Sequence, residues 1–175
     1  MRRIYESEAV VRDDHPHTPR ERDGERSRRA IDWDNASHAL LPVRLRDWAI
    51  DVSVETDRGS YRVGDPVGVR VRFENRLPFP VRLRTETPLL WEWSVDGAPE
   101  ASRVPERAPP DRRGVFSFSR SERKTFTRSW NQSIRETSRE WVPVDPGEYT
   151  VAARVNVPDA PERGLSDETT LRIER

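Results

Sequence analysis

The segment Asp145-Pro146-Gly147-Glu148-Tyr149-Thr150-Val151-Ala152-Ala153-Arg154-Val155-Asn156-Val157 decides how this chain is read. It opens with a turn, because proline presets one backbone angle and glycine accepts conformations that other residues avoid. Tyr149 then stands where a tyrosine corner places its ring, beneath a bend, with the hydroxyl bonded back to upstream backbone. The residue two further on, Val151, points into the core. The motif argues for a two-sheet β-sandwich, and since the chain has no cysteine, no inter-sheet disulfide holds it.

Working outward from that strand, alternation of apolar and polar residues recurs along the chain. Trp48, Ile50, Val52 and Val54 alternate with Asp51, Ser53 and Glu55. Past Tyr61 and the turn Gly64-Asp65-Pro66, Val67, Val69, Val71 and Phe73 alternate with Gly68, Arg70, Arg72 and Glu74, the least ambiguous register in the sequence. Leu77-Pro78-Phe79-Pro80 forces a turn, and Val81, Leu83 and Thr85 resume the pattern as a hairpin or sheet-crossing partner of the preceding strand. Trp91 and Trp93 share a face that ends at the Asp96-Gly97 turn. Residues 98–113, with Pro99, Pro105, Pro109 and Pro110, are expected to form a long loop. Strands are predicted at Val115–Phe118 and Lys124–Trp130. In the second, Phe126 and Trp130 share a face with Lys124 and Arg128, a mixture that suits an edge strand or a crevice. Residues 133–144 read either way, and Glu168–Ile173 closes the sheet. The fold class is therefore all-β: an immunoglobulin-like antiparallel β-sandwich of about seven to eight strands spanning 48–175.

Upstream of the sandwich the composition changes. Residues 1–30 are rich in Arg, Glu and Asp without periodicity and are expected to be a disordered charged tail. Residues 31–47 carry Ile31, Trp33, Leu40, Leu41, Val43 and Leu45 and are expected to dock as an apolar strap, with a partner-binding segment as the alternative. Over all 175 residues, 31 Lys and Arg balance 31 Asp and Glu, so no global field steers the protein toward nucleic acid or a membrane. The basic first residues meet acids at once with no apolar run behind them, and no stretch approaches the ~20 apolar residues of a membrane span. A cytoplasmic protein with no membrane partner is expected.

Motifs that carry chemistry are sparse. Without cysteine there are no thiolate ligands or thiol nucleophiles. Gly-x-Ser-x-Gly, a Gly-rich phosphate loop and His-Glu-x-x-His are all missing. His15, His17 and His38 fall in or near the tail. His15-Pro16-His17 with Asp13 and Asp14 makes a poor ligand set, and the pair Asp32 and Asp34 reads as solvated or capping. No enzyme, no metal and no cofactor are expected. The one local signal is arginine, as Lys124 is the sole lysine. Arg70, Arg72, Arg82 and Arg84 are expected on the outer face of neighbouring strands, with Glu74 as counter-charge. A second run holds Arg107, Arg112, Arg113, Arg120, Arg123, Lys124 and Arg128 against Asp111 and Glu122. Arginine forks match phosphate oxygens, so Arg70, Arg72, Arg82, Arg84, Arg112 and Arg113 are candidate anion- or partner-binding residues. Solvated ion-pair networks rank ahead of that reading.

The order Tyr61-x-x-Gly64-Asp65-Pro66-Val67, Phe73-Glu74-Asn75, Trp91-x-Trp93-Ser94-x-Asp96-Gly97, Trp130-Asn131-Gln132 and Pro146-Gly147-Glu148-Tyr149-Thr150-Val151 resembles the intracellular proteinase inhibitor family. It is also similar to a group of uncharacterised proteins of halophilic archaea. The resemblance covers roughly 49–173 and implies an immunoglobulin-like sandwich and, for the family's founding members, inhibition of serine proteinases inside the cell. The chain departs from the family in the Pro-rich stretch 98–113 and in residues 1–48, and no inhibitory loop matches residue by residue. A non-enzymatic protein-binding module with an unidentified protein partner is the expected function. The alternative is an anion- or nucleic-acid-associated protein using the Arg-rich faces.

Overall fold

The structure, a computed structural model, describes residues 47–104 and 109–175, all within the second of the two units into which the chain divides, Ile31–Arg175. The charged tail, His15, His17 and His38, nearly all of the apolar strap, and Arg107 lie outside the described residues.

Twelve strands are present among them, and the sequence patterns explain the long ones. β1 (Ile50–Thr56), β3 (Val67–Asn75) and β8 (Arg123–Trp130) form one antiparallel sheet in the order β1-β3-β8. The second sheet runs β2-β12-β11-β5-β6, from β2 (Ser60–Arg62), β12 (Ser166–Glu174), β11 (Gly147–Val155), β5 (Trp91–Val95) and β6 (Ala98–Pro99). β4 (Val81–Thr85) pairs with β7 (Gly114–Phe118), and β9 (Ser133–Arg135) with β10 (Trp141–Pro143). β2 joins β12 in parallel while every other ladder is antiparallel. Two face-to-face sheets with a buried interior make this an immunoglobulin-like β-sandwich. It has more strands than the sequence suggests because β2, β6, β9 and β10 are each two or three residues long, too short to leave a period.

β3 sits at the centre of its sheet. Val67, Val69, Val71 and Phe73 are completely buried, and the alternate residues face outward. Opposite them lie Val95, Val151, Val155, Leu171 and Ile173 of the second sheet, all fully or almost fully buried. Phe73 anchors a ring cluster that joins the sheets, with centroids 5.5 Å from Trp91, 5.3 Å from Phe116 and 6.0 Å from Phe126. Such tilted and edge-on contacts add to the apolar burial.

The corner forms as its sequence requires. Tyr149 donates its hydroxyl to the Asp145 carbonyl at 2.6 Å, its ring meets Trp130 at 5.5 Å, and Val151 is fully buried. Asp96-Gly97 also turns as predicted: both residues have positive φ (45° and 75°), which suits the two-residue hairpin from β5 to β6.

Polar residues close the ends. Gln132 is 3% exposed yet satisfied: its amide nitrogen donates to the Arg62 and Asp65 carbonyls, each at 2.8 Å, and its oxygen accepts from Gly64 N at 2.8 Å. One side chain thus ties the turn before β3 to the loop after β8. Asn75 does the same at the other end of β3, donating to the Phe79 and Ser119 carbonyls and accepting from Leu77 N. Asp47 is buried against Arg163 in a two-point pair, 2.9 and 2.7 Å. That pair fixes the chain's entry into β1 to the loop between β11 and β12.

Several expectations need correction. Trp48 is 67% exposed rather than on the buried face of the first strand, because the ladder ends at Ile50↔Asn75 and Trp48 lies beyond the pleat. β4 is not a hairpin partner of β3, since β3 is flanked by β1 and β8 and β4 pairs with β7. The stretch 98–113 is not one long loop. It begins with β6, and Ala101 and Ser102 are buried beneath a bridge from Ser102 to Arg135.

Two predictions follow from these contacts. Tyr149→Phe should lower the urea-unfolding free energy by about 1 kcal/mol, the hydroxyl bond alone, and Tyr149→Ala by ~2 to 4 kcal/mol once ring burial is lost too. Gln132→Ala should cost on the order of 2 to 3 kcal/mol, because it removes three hydrogen bonds made by a buried side chain, each worth about 1 kcal/mol. Unchanged urea midpoints would contradict both.

A pH effect is expected at the β1–β2 turn. Tyr61 donates to Asp57, and Gly68 N adds a bond at 2.9 Å, so the carboxyl is held below the ordinary aspartate value. A lowered folded-state value stabilises above the unfolded one, about 3.9, and that stability is lost as pH falls through the folded value. Tyr61→Phe should therefore flatten the loss of stability below about pH 4 in acid titrations of the folded chain.

Candidate functional site

The arginines singled out by sequence do not form one site. Arg70 and Arg72 project from β3 on the outer face of the first sheet, whereas Arg82 and Arg84 stand on β4, in a separate ladder with β7. The four are thus not on neighbouring strands. Arg112 and Arg113 are exposed on the segment entering β7, with Arg112 N bonded to the Pro110 carbonyl at 2.7 Å. Arg113 adjoins Gly114, the partner of Thr85, which brings it to the same end of that ladder as Arg84.

On the outer face of the first sheet, ion pairs consume most of the charge. Arg70 faces Glu55 at 4.0 Å, and Arg76 meets Asp51 at 2.5 Å. Glu74, expected beside Arg70 and Arg72, instead takes a two-point pair from Arg123 at 3.0 and 3.1 Å. Arg72 lies between Ser53 and Thr125, and its buried Nε has no hydrogen-bond partner. Exposed pairs of this kind contribute little stability, but they neutralise Arg70, Arg76 and Arg123.

A groove of about 630 Å³ beside the β5–β6 hairpin is lined by Leu89, Glu92, Asp96, Pro99 and Arg103. Two of its three carboxylates are committed, Glu92 to Arg154 and Asp96 to the Thr150 amide at 2.8 Å, and Glu100 is the third. Among the described residues no group of three or more His, Cys, Asp and Glu is placed to hold a metal ion, and no helix is long and apolar enough to cross a membrane.

The edges of the two sheets are more informative. An edge strand presents unpaired N–H and C=O groups that another chain can pair with, so proteins shorten, charge or cover their edges. β2 is three residues long, and β6 is two residues long with a proline. β1 is longer, but its Val54 amide is capped by Asp167 of the other sheet at 2.9 Å. β8 has eight residues, pairs only with β3, and shows no backbone bond on its far side among the described residues.

Three hydrogen bonds establish which groups of β8 face outward. Val54 N points to Asp167, away from β3, so Val54↔Val71 is a non-hydrogen-bonded pair. Val71 must then turn its own N–H and C=O toward β8. The bonds of Asn75 N to the Glu122 carbonyl and of Arg76 N to the Ala49 carbonyl show the same alternation. Hence Lys124, Phe126 and Arg128 spend their backbone groups on β3, while Arg123, Thr125, Thr127 and Ser129 offer theirs to solvent.

Side chains on the inner side of β8 form the mouth between the sheets. Phe126 stacks on Trp91 of β5, centroids 4.8 Å apart. The Arg128 guanidinium covers the same Trp91 ring at 5.0 Å and donates to the Thr127 carbonyl at 3.0 Å. Lys124 is paired with Glu122 at 2.7 Å, whereas Arg128 meets no carboxylate among the described residues. The mixed apolar and cationic face predicted for this strand is the sign of an edge. Which backbone groups the edge exposes, and that Trp91 forms its other wall, could not be read without the pairing.

The chain is thus an immunoglobulin-like sandwich with a long open edge at β8 beside an aromatic mouth. It belongs to a family of unknown function, DUF7974, whose model matches residues 38–174. This match and the similar structures below give no support to the expected resemblance to intracellular proteinase inhibitors or to halophilic archaeal proteins. No curated protein matches the sequence significantly. Among solved structures it is similar to the CARDB domain of a Pyrococcus furiosus protein determined in solution, at 15% identity over 71% of this chain and 94% of that one, with a TM-score of 0.44. The crystal structure of that domain with di-metal ions gives 14% identity, 71% and 87% coverage, and a TM-score of 0.41. The Pseudomonas fluorescens alkylpurine DNA glycosylase AlkC, bound to DNA containing an abasic site analog, gives 12% identity and a TM-score of 0.43. There the match covers 73% of this chain but only 31% of the glycosylase.

Proposed function

We propose that this protein is a non-enzymatic protein-binding module that receives an extended segment of another protein along the free edge of β8. The observation that supports this most strongly is the contrast among the four edges of the two larger sheets: β2 and β6 are short, β1 has its Val54 amide capped, and β8 offers the backbone of Arg123, Thr125, Thr127 and Ser129 over an eight-residue strand. Strand addition of this kind draws affinity from main-chain hydrogen bonds and specificity from alternate side chains. Its ladder needs no catalytic group. A proteinase is one partner class that the motif resemblance suggests. An anion-binding role for the arginine faces has less support, because Arg70 and Arg123 are already paired.

The test is affinity purification of the tagged full chain beside its Thr127→Pro variant. Proline at this position removes an outward N–H while leaving the β3 ladder intact, which edge strands tolerate. The reading predicts a partner at near-equal amount with the parent chain and its loss with Thr127→Pro, both proteins showing the same urea midpoint. Equal recovery by both would exclude β8 as the binding edge.

A further inference from the structure

We infer that the β8 edge selects an acidic strand: an extended segment carrying a carboxylate two residues away from an apolar side chain on the same face. This rests on the edge-binding reading and adds the chemistry of the partner. Residues of an added strand that face the mouth would sit beside Phe126 and Arg128, since side chains two apart share a face. Phe126 and Trp91 supply an apolar and aromatic wall for one of them. Arg128 supplies a cation for the other.

Arg128 also decides whether the edge is open. Its guanidinium is bonded to the Thr127 carbonyl, one of the groups a docking strand must use, and no carboxylate among the described residues holds it. For the strand to add, Arg128 must leave that carbonyl. A carboxylate opposite Arg128 gives the guanidinium a stronger, charge-assisted acceptor, so one movement uncovers the edge and completes the ion pair. A neutral strand must break the Arg128–Thr127 bond without replacing it, and a basic strand adds repulsion. Arg123 and Lys124, at the start of the strand, are already paired with Glu74 and Glu122, which leaves Arg128 as the cation for the added strand.

Charge also argues against a second copy of this chain as the occupant. The outward groups lie on Arg123, Thr125, Thr127 and Ser129, so the register that overlaps two antiparallel β8 edges most fully centres on Phe126. That register sets Lys124 directly opposite Arg128 of the other copy, and like charges so placed are destabilising.

The experiment uses the full chain and three fluorescein-labelled octapeptides of alternating threonine with valine or glutamate, the glutamates kept, changed to glutamine or changed to lysine. Anisotropy titration should show the glutamate peptide binding about tenfold more tightly than the glutamine one, the contribution of one charge-assisted bond, with the lysine peptide weakest. Arg128→Glu should reverse the order of the acidic and basic peptides, and Thr127→Pro should abolish binding of all three. Equal affinities that Thr127→Pro abolishes would overturn acidic selection and leave the edge reading intact. Binding indifferent to Thr127→Pro, or no binding at all, would overturn both. A concentration-dependent dimer in sedimentation, lost on Thr127→Pro and undisturbed by the acidic peptide, would replace the acidic strand with a second copy.

Discussion

The register of β3 is the constraint on which the rest of the molecule depends. Four consecutive inward positions, Val67, Val69, Val71 and Phe73, are wholly buried, and a slip of one residue would exchange them for Gly68, Arg70, Arg72 and Glu74. No core could accept those charges. Because β3 is the middle strand, its register fixes the alternation of backbone groups on both sides: toward β1, where Val54 is left to Asp167, and toward β8, where Thr125 and Thr127 are left to solvent. The open edge is thus a consequence of hydrophobic patterning two strands away from it. The polar ties support the same arrangement. Gln132 and Asn75 hold the two ends of β3 to the segments that follow and precede β8, and a buried amide with all its bonds made specifies one geometry.

The long elements were legible because period-two alternation and turn chemistry are local. Tyr149 bonded to Asp145, Val151 in the core, the Asp96-Gly97 hairpin and the face of β3 all follow from residues adjacent in sequence. What could not be read was pairing. β4 lies soon after β3 in sequence yet pairs with β7, reached only after β5 and β6, and nothing in Val81–Thr85 announces that partner. Trp48 fits the alternation of β1 but stands outside its ladder, since periodicity continues in sequence where pairing has stopped.

The candidate site shows the same division. Sequence marked β8 as unusual because Lys124 and Arg128 share a face with Phe126 and Trp130. The weight it placed on Arg70, Arg72, Arg82 and Arg84 as one surface assumed that β3 and β4 were neighbours. With the true pairing, Arg70 has Glu55, Arg123 has Glu74, and the arginines of β4 belong elsewhere. Arg128 emerges as the informative cation only because the fold brings Trp91, remote in sequence, beneath its guanidinium.

Amide hydrogen exchange along β8, resolved residue by residue by NMR on the full chain, tests the account most directly. Bonded amides in a sheet exchange only when the structure opens, whereas outward amides on a free edge have no such protection. The register derived from β3 predicts slow exchange at Lys124, Phe126 and Arg128 and fast exchange at Thr125 and Thr127. Protection of Thr125 and Thr127 equal to that of Phe126 would mean that the edge is already covered, and would contradict the central claim.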